Sequence, residues 1–466
     1  MKADEKRFAV TADLAMIALI ARIAIMLHAH AEPVWDGFYY DLGARRIAEG
    51  LGYSEDLVIA AADGTERVVW HAWAHYPVGY SGFLALFYKL FGAKTTVAAV
   101  ANALTGAALV ACVHRLALHA FGARRALIAA LLVALHPGLV LYSGALMTEP
   151  LAATLMLGAV LCALDRRAPY LAYSGVLLGL ATLVRPNAIL LAPFLGFFAA
   201  FRWSGIGRAV VIGAIALATV GPWTYRNCRV MDACTLVSTN AGWNLVIGSA
   251  PGATGKFEFL VDHTPAGGPK CDEGGQVAQD RCWARYGVAT IRSDVRRWLA
   301  LIPRKLHYTL DAEWFPINYL REARPDLVSS RTHIAWGKLL TGLQHLLVTL
   351  AALAAVGFTR PRRTAAFVVQ LGLFLGLLAL ATRCFDPHDP SVWPLGVAAC
   401  VLPFIPLPGA PKRSAAELGA AAVILTTLLT HAIFFGEDRY HLVATPAFVI
   451  LAAGLARRQS VKSDNP

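Results

Sequence analysis

Charge is scarce in this chain. Only 15% of its 466 residues are Asp, Glu, Lys or Arg, against 57% hydrophobic ones, and the mean hydropathy is +0.53. A soluble domain of ordinary composition is never so poor in charge, so that class is excluded and a polytopic membrane protein is indicated. Acidic residues number 30 against 42 basic ones, a net charge of +12. No basic patch resembles a nucleic-acid module, so nucleic acid is not an expected partner. Internal repeats are absent too, and no pair of His or carboxylates has a convincing metal-ligand spacing. Asp386, His388 and Asp389 lie close together, but between Pro387 and Pro390 they read as a rigid loop. No cofactor is expected, and a need for a divalent cation stays open.

What fills the chain instead is apolar sequence. Runs near 9–29, 95–119, 125–142, 147–164, 170–184, 187–201, 207–226, 336–357, 364–382, 391–408, 415–435 and 441–456 approach the length a helix needs to cross hydrocarbon. The expected fold is therefore an all-α polytopic membrane protein with about twelve transmembrane helices. The stretch 79–92 is apolar but short, which predicts a re-entrant or interfacial helix. The first run follows a basic start, lacks a small-residue cleavage site and is interrupted by Arg22, as in a retained signal anchor.

Basic residues fix the expected orientation. Lys2, Lys6, Arg7, Arg115, Arg124, Arg125, Arg166, Arg167, Arg202, Arg208, Arg360, Arg362, Arg363, Lys412, Arg413, Arg457 and Arg458 fall on one side if the spans alternate. That side is the cytoplasm by the positive-inside rule, with both termini on it. Two long segments, 30–79 and 227–335, then face outward, toward the periplasm of a bacterial inner membrane. The chain divides accordingly into an N-terminal membrane module 1–226 containing the first outer loop, an outer segment 227–335, and C-terminal membrane helices 336–466.

Cysteine placement agrees with that sidedness. Cys112, Cys162 and Cys400 sit in apolar runs and read as small buried residues. Cys271 with Cys282 and Cys228 with Cys234 lie in or beside the long outer segment, where an oxidising compartment would let each pair close. Residues 277–310 have helical periodicity with Trp283, Tyr286, Val288, Ile291, Val295 and Trp298 on apolar faces, which predicts an amphipathic helix over the membrane.

The first outer loop concentrates the chemistry. Trp35, Asp36, Tyr39, Tyr40 and Asp41 are followed by Gly50-Leu51-Gly52-Tyr53 and by His75-Tyr76-Pro77-Val78-Gly79-Tyr80. Further pieces recur at outer ends of spans: Thr148-Glu149-Pro150, Leu183-Val184-Arg185-Pro186-Asn187, Gly221-Pro222-Trp223-Thr224-Tyr225-Arg226-Asn227, Asn240-Ala241-Gly242-Trp243-Asn244-Leu245 and Asp438-Arg439-Tyr440-His441. In this order the set resembles the GT-C class of integral-membrane glycosyltransferases, in particular the group of protein O-mannosyltransferases and the aminoarabinose transferase. One departure is Val78, where the common form of that motif has a second proline.

The resemblance implies a GT-C-like bundle with two large outer loops. It also implies transfer of a sugar from a polyprenyl-phosphate carrier to a lipid, glycan or protein acceptor at the outer face, usually with inversion. Such a transfer needs a base for the acceptor hydroxyl and cations for the departing lipid phosphate. Asp36 is the expected catalytic base, against the alternative that it caps a helix over 37–50. Arg439, with Tyr440 and His441, is the first phosphate candidate, because a guanidinium stays charged and binds two oxygens at once. Arg185 and Arg226 are further phosphate candidates. Tyr40, Asp41, His75, Tyr76 and Glu149 are expected to contact substrate. A transporter or flippase is the rival from another class, but its helix-breaking charges belong at mid-membrane in corresponding halves. A polysaccharide polymerase or ligase would carry its dominant loop late in the chain.

Overall fold

Prolines mark two of the breaks between apolar helices in the computed structural model, which describes residues 2–29, 31–60, 65–165, 167–197, 203–260, 268–358, 364–386 and 390–455. Proline lacks an amide proton and forces the residue before it out of the helical region, so it starts a helix and ends the previous one. Thus Ala123–Leu135 stops at His136 and Pro137 opens the short helix Pro137–Leu141. Likewise Ala168–Val184 stops at Arg185 and Pro186 opens a 3-10 turn, Pro186–Leu191, that runs into Ala192–Phe197.

The chain is a multi-pass, almost wholly helical membrane protein. Six helices among the described residues are long and apolar enough to cross a bilayer: Glu5–Ala29, Thr95–Phe121, Gly205–Val230, Ser330–Val356, Thr364–Phe385 and Ala415–Ile433. The other expected runs appear as shorter apolar helices, among them Glu149–Ala163, Ala168–Val184, Pro186–Phe197 and Trp393–Phe404. Val78–Phe91 forms where a short apolar helix was expected. The basic positions Arg166, Arg202, Arg360, Arg362, Arg363, Arg457 and Arg458, and the loop residues His388 and Asp389, lie outside the described residues.

Small residues let the helices meet. A Cβ on Gly175 would sit 2.7 Å from Ile215, and one on Gly179 2.5 Å from Thr219, so Ala168–Val184 and Trp203–Val230 approach through glycine. Gly106 makes room for Arg22, whose guanidinium donates to the carbonyls of Ala134 at 3.0 Å and Ala18 at 3.1 Å. A buried arginine on a first-span helix is thereby satisfied by a carbonyl of its own helix and by the carbonyl end of its neighbour.

Two parts of the long loops differ from expectation. The first loop contains an antiparallel hairpin, Ser54–Ala60 paired with Glu66–Ala72, where no strand was expected. The expected single helix over 277–310 is two, Gln276–Ser293 and Val295–Leu310. Asp294 separates them because its carboxylate accepts from the Arg297 amide at 2.9 Å and so caps the second helix. Both cysteine pairs, Cys228–Cys234 and Cys271–Cys282, are disulfide-bonded. The long segment docks on the end of Ala415–Ile433, where Gly436 donates to the Gly255 carbonyl at 2.8 Å.

Candidate active site

The helix Asp36–Ala48 begins at a tight turn in which Gly37 donates to the Val34 carbonyl at 3.0 Å. Trp35 occupies that turn with φ 52° and ψ −132°, a conformation that favours glycine. Its ring is held against Phe315, 5.4 Å away, and edge-on to Tyr319 at 5.7 Å. The turn aims Asp36 away from its own helix: its carboxylate caps no amide and instead accepts from the Tyr76 hydroxyl at 2.7 Å and from Arg439 at 2.6 Å.

Arg439 comes from the 3-10 turn Asp438–Val443, which follows the last long helix. Beside the Asp36 contact it pairs through Nε with Glu437 at 2.5 Å and donates to the Tyr440 hydroxyl at 3.1 Å. Its guanidinium lies over the rings of Phe315 and Tyr440. The neighbouring Asp438 accepts from the Trp314 amide at 2.6 Å and the Phe315 amide at 2.9 Å, which ties this turn to the chain at 314–315. A second pair stands beside the first. Arg185 donates to Glu149 at 2.9 Å and to Thr148 at 3.2 Å, and it covers the other side of the Tyr440 neighbourhood at 5.1 Å from that ring.

These groups line a cavity of about 1030 Å³. Its wall is aromatic: Tyr39 stacks on Tyr76 at 5.6 Å, Tyr40 meets Tyr76 edge-on, and His75 bridges toward Trp243 at 6.4 Å. The long segment completes it with Leu236, Trp243, Phe257, Glu258 and Phe259. Of the residues expected from sequence, Asp36, Tyr40, His75, Tyr76, Glu149, Arg185, Arg439 and Tyr440 all reach this cavity.

Three expected contacts do not. Asp41 is turned into the protein, where it accepts from Arg45 at 2.6 Å and from the Tyr88 hydroxyl. Arg226 donates to the Trp73 carbonyl at 3.1 Å and the Tyr53 carbonyl at 2.5 Å, so it ties the first loop to the end of Trp203–Val230. His441 is fully buried, with Nδ1 on the Thr309 carbonyl at 2.8 Å and Nε2 3.7 Å from Glu313. Each is spent on holding the fold. Conversely Glu437 and Trp35 line the cavity although the motif reading gave neither a role. The available signals were the acidic residue directly before Asp438-Arg439 and a bulky residue directly before Asp36.

Electrostatics separates the two carboxylates that share Arg439. Burial alone would raise Asp36, but the charge of Arg439 and hydrogen bonds from Tyr76 and Arg439 outweigh it and hold Asp36 below the usual carboxylate range. Burial raises Glu437, Arg439 opposes it, and Asp438, Asp36 and Glu149 add to the rise, which brings it to about 7. Arg439 itself is desolvated, yet the surrounding carboxylates keep it firmly charged. Burial lowers His75, against the pull of Asp36. Among the described residues no three His, Cys, Asp or Glu side chains are grouped as a metal site requires.

Comparison with known proteins adds one match in sequence. Residues 75–225 match the family of dolichyl-phosphate-mannose-protein mannosyltransferases. No curated protein matches the chain. Among solved structures, the oligosaccharyltransferase of Archaeoglobus fulgidus tethered to an acceptor peptide is similar at 15% identity and TM-score 0.46, over 96% of this chain and 49% of that one. The chain thus spans about half the length of that protein. ArnT from Cupriavidus metallidurans bound to undecaprenyl phosphate is similar at 17% identity and TM-score 0.38, over 93% of this chain and 76% of that one. The family match over 75–225 bears out the resemblance to the GT-C integral-membrane glycosyltransferases that the ordered motifs carry.

Proposed function

We propose that this protein transfers a sugar from a polyprenyl-phosphate carrier to a lipid, glycan or protein acceptor at the outer face of a bacterial inner membrane, with inversion at the sugar carbon. The observation that carries this reading is the Asp36–Arg439–Glu437 cluster, joined at 2.6 and 2.5 Å, at the wall of an aromatic cavity. The family match to enzymes that use a dolichyl-phosphate sugar supports a lipid-phosphate donor.

The residues divide the work by their chemistry. Inversion needs the acceptor oxygen on one face of the sugar carbon and the phosphate leaving from the other. A carboxylate of the cluster takes the acceptor proton as the new bond forms. Arg439 and Arg185 supply the positive charge toward which the departing phosphate oxygens move. The rings of Tyr39, Tyr76 and Trp243 offer flat apolar faces for a sugar and exclude water around the reacting carbon. With the loop basic residues inside, both termini are cytoplasmic and the cavity faces the periplasm, where the long segments and their disulfides belong. In this scheme 1–226 carries the site, 227–335 closes it, and 336–466 delivers Arg439 to it.

The test is a panel of radiolabelled polyprenyl-phosphate sugars given to the purified protein with a membrane-extract acceptor fraction. We expect label to move to acceptor with release of free polyprenyl phosphate and an inverted anomeric bond. Label that crosses a sealed bilayer still attached to its carrier would instead identify a flippase.

A further inference from the structure

The 3-10 turn that carries Arg439 is held at two points by the chain that leads into the helix Phe315–Ala323. At one point the Asp438 carboxylate accepts from the amides of Trp314 and Phe315. At the other His441 faces Glu313, Nε2 to Oε2 at 3.7 Å. Arg439 stands in sequence between these two ties and lines the cavity, whereas Glu313 and His441 do not.

Glu313 and His441 are fully buried, and His136 is nine-tenths buried beside them. Neither oxygen of Glu313, nor Nε2 of His441, nor Nε2 of His136 has a hydrogen-bond partner among the described residues. Glu313 meets His136 over Gly138: a Cβ on that glycine would lie 1.8 Å from Glu313 Oε1 and 3.3 Å from the His136 ring. Gly138 therefore keeps the space that the carboxylate fills.

The far nitrogens of the two rings show where their protons are. His441 Nδ1 lies 2.8 Å from the Thr309 carbonyl, which can only accept, so Nδ1 carries a proton. In a neutral His441 the other nitrogen, Nε2, would then present a bare lone pair to the lone pairs of Glu313 Oε2. His136 Nδ1 accepts from the Leu139 amide at 3.4 Å, which leaves its ring proton on Nε2. Two acceptors set face to face away from solvent are costly, and one proton between them removes the conflict.

We infer that Glu313 and His441 share one proton, and that this pair, steadied by His136, positions Arg439 against Asp36. The positioning role rests on the sugar-transfer reading above. The pair touches no substrate and acts through the turn. Arg439 meets Asp36 at 2.6 Å, so a shift of the turn misaligns both groups at once. Misplacement by about 1 Å costs on the order of 10²-fold in rate.

The test compares Glu313→Gln, Glu313→Leu and Gly138→Ala with the wild type in sugar transfer, with rates counted per molecule that binds polyprenyl phosphate. A glutamine amide donates to the His441 lone pair while its carbonyl accepts from His136, so it needs no shared proton. We expect Glu313→Gln to keep kcat within about threefold. Leucine offers neither donor nor acceptor, and Glu313→Leu should lose about 10–100-fold in kcat with the donor KM within about threefold, because Arg185 still meets the phosphate. Gly138→Ala should lose kcat likewise, although it changes no polar group, since its methyl takes the place of Oε1. A cluster that only holds the fold would lower the number of binding-competent molecules and leave the kcat of the rest unchanged. That result overturns the proposal, as does a Glu313→Gln as slow as Glu313→Leu.

Nitrogen-15 NMR of histidine-labelled protein reads the pair without turnover, with the His441 signals assigned by their absence from His441→Gln. In the wild type Nδ1 should be protonated and Nε2 should share a proton, whereas in Glu313→Gln Nε2 should be a plain acceptor. A bare Nε2 in the wild type refutes the shared proton while the sugar-transfer reading stands. A wild type that turns over no polyprenyl-phosphate sugar overturns that reading, and the positioning role with it.

Discussion

Asp36 and Arg439 stand 403 positions apart in the chain and meet at 2.6 Å. The contact joins the first helix of the N-terminal loop to the turn after the last long helix, so the cavity exists only when both halves of the bundle are assembled. Arg439 reaches two carboxylates through different nitrogens, Nη1 to Asp36 and Nε to Glu437. Lysine offers one point charge and cannot span both. Arg439→Lys should therefore lower kcat/KM by about 10²-fold or more, comparable to the loss of one oriented charge in a preorganised site. Steady-state kinetics checks this, and a wild-type rate would show that the shared pairing is dispensable.

Trp35 provides a test that separates stability from function. Its φ of 52° with ψ of −132° suits glycine, and a residue held there costs roughly 1–3 kcal/mol. Glycine relieves that cost but removes the ring, whereas alanine removes the ring and keeps the strain. Trp35→Gly should be more stable than Trp35→Ala by about 1 kcal/mol or more, with equal losses of activity. Thermal unfolding and activity measured side by side decide it, and a more stable alanine variant would contradict the account.

Arg226 was expected at the phosphate and instead holds the carbonyls of Tyr53 and Trp73. Removing it leaves those acceptors without a charged donor. Arg226→Gln should cost about 1–3 kcal/mol of stability and leave the KM for the lipid donor within about twofold. A large rise in donor KM without loss of stability would return Arg226 to the site.

Lys305 is fully buried and donates to the carbonyls of Ile433 at 2.9 Å and Ala432 at 3.3 Å, at the end of the helix that carries the cavity residue His431. Burial, together with the nearby charge of Arg297, lowers it to about 7. A lowered folded-state value means that the unfolded chain binds more protons between about 7 and the ordinary lysine range, so stability rises with pH across that window and falls as pH drops toward 7. Lys305→Met should flatten that slope, which in the wild type amounts to on the order of 3 kcal/mol. Unfolding midpoints between pH 7 and 10 supply the measurement, and equal slopes in both proteins would contradict it.

The residues that gather at the cavity were legible where local chemistry and topology agreed. Asp36, Tyr76, Glu149, Arg185 and Arg439 were legible because each stands at the end of an apolar run beside aromatic or proline residues, and the bundle gathers such ends together. Asp41, Arg226 and His441 were displaced for a simple reason. Residues a few positions apart on a helix or tight turn point to different faces, and only three-dimensional packing says which face the cavity takes. Glu437 was hidden by the same ambiguity, since Glu437-Asp438-Arg439 offers two acids and only one lines up with Arg439 Nε. The hairpin at 54–72 escaped because its short apolar run carries no clear alternation, and its strands show most of their side chains to solvent.

The central claim is sugar transfer from a lipid phosphate at the Asp36–Arg439 cluster. Its most direct test places purified wild-type protein and Asp36→Asn in proteoliposomes with a radiolabelled polyprenyl-phosphate sugar and acceptor, and measures label on the acceptor alongside donor binding. The account expects transfer by the wild type, a loss of at least about 10²-fold in the variant, and donor binding preserved in both. Undiminished transfer by Asp36→Asn, or no transfer by the wild type from any donor of the panel, would contradict it.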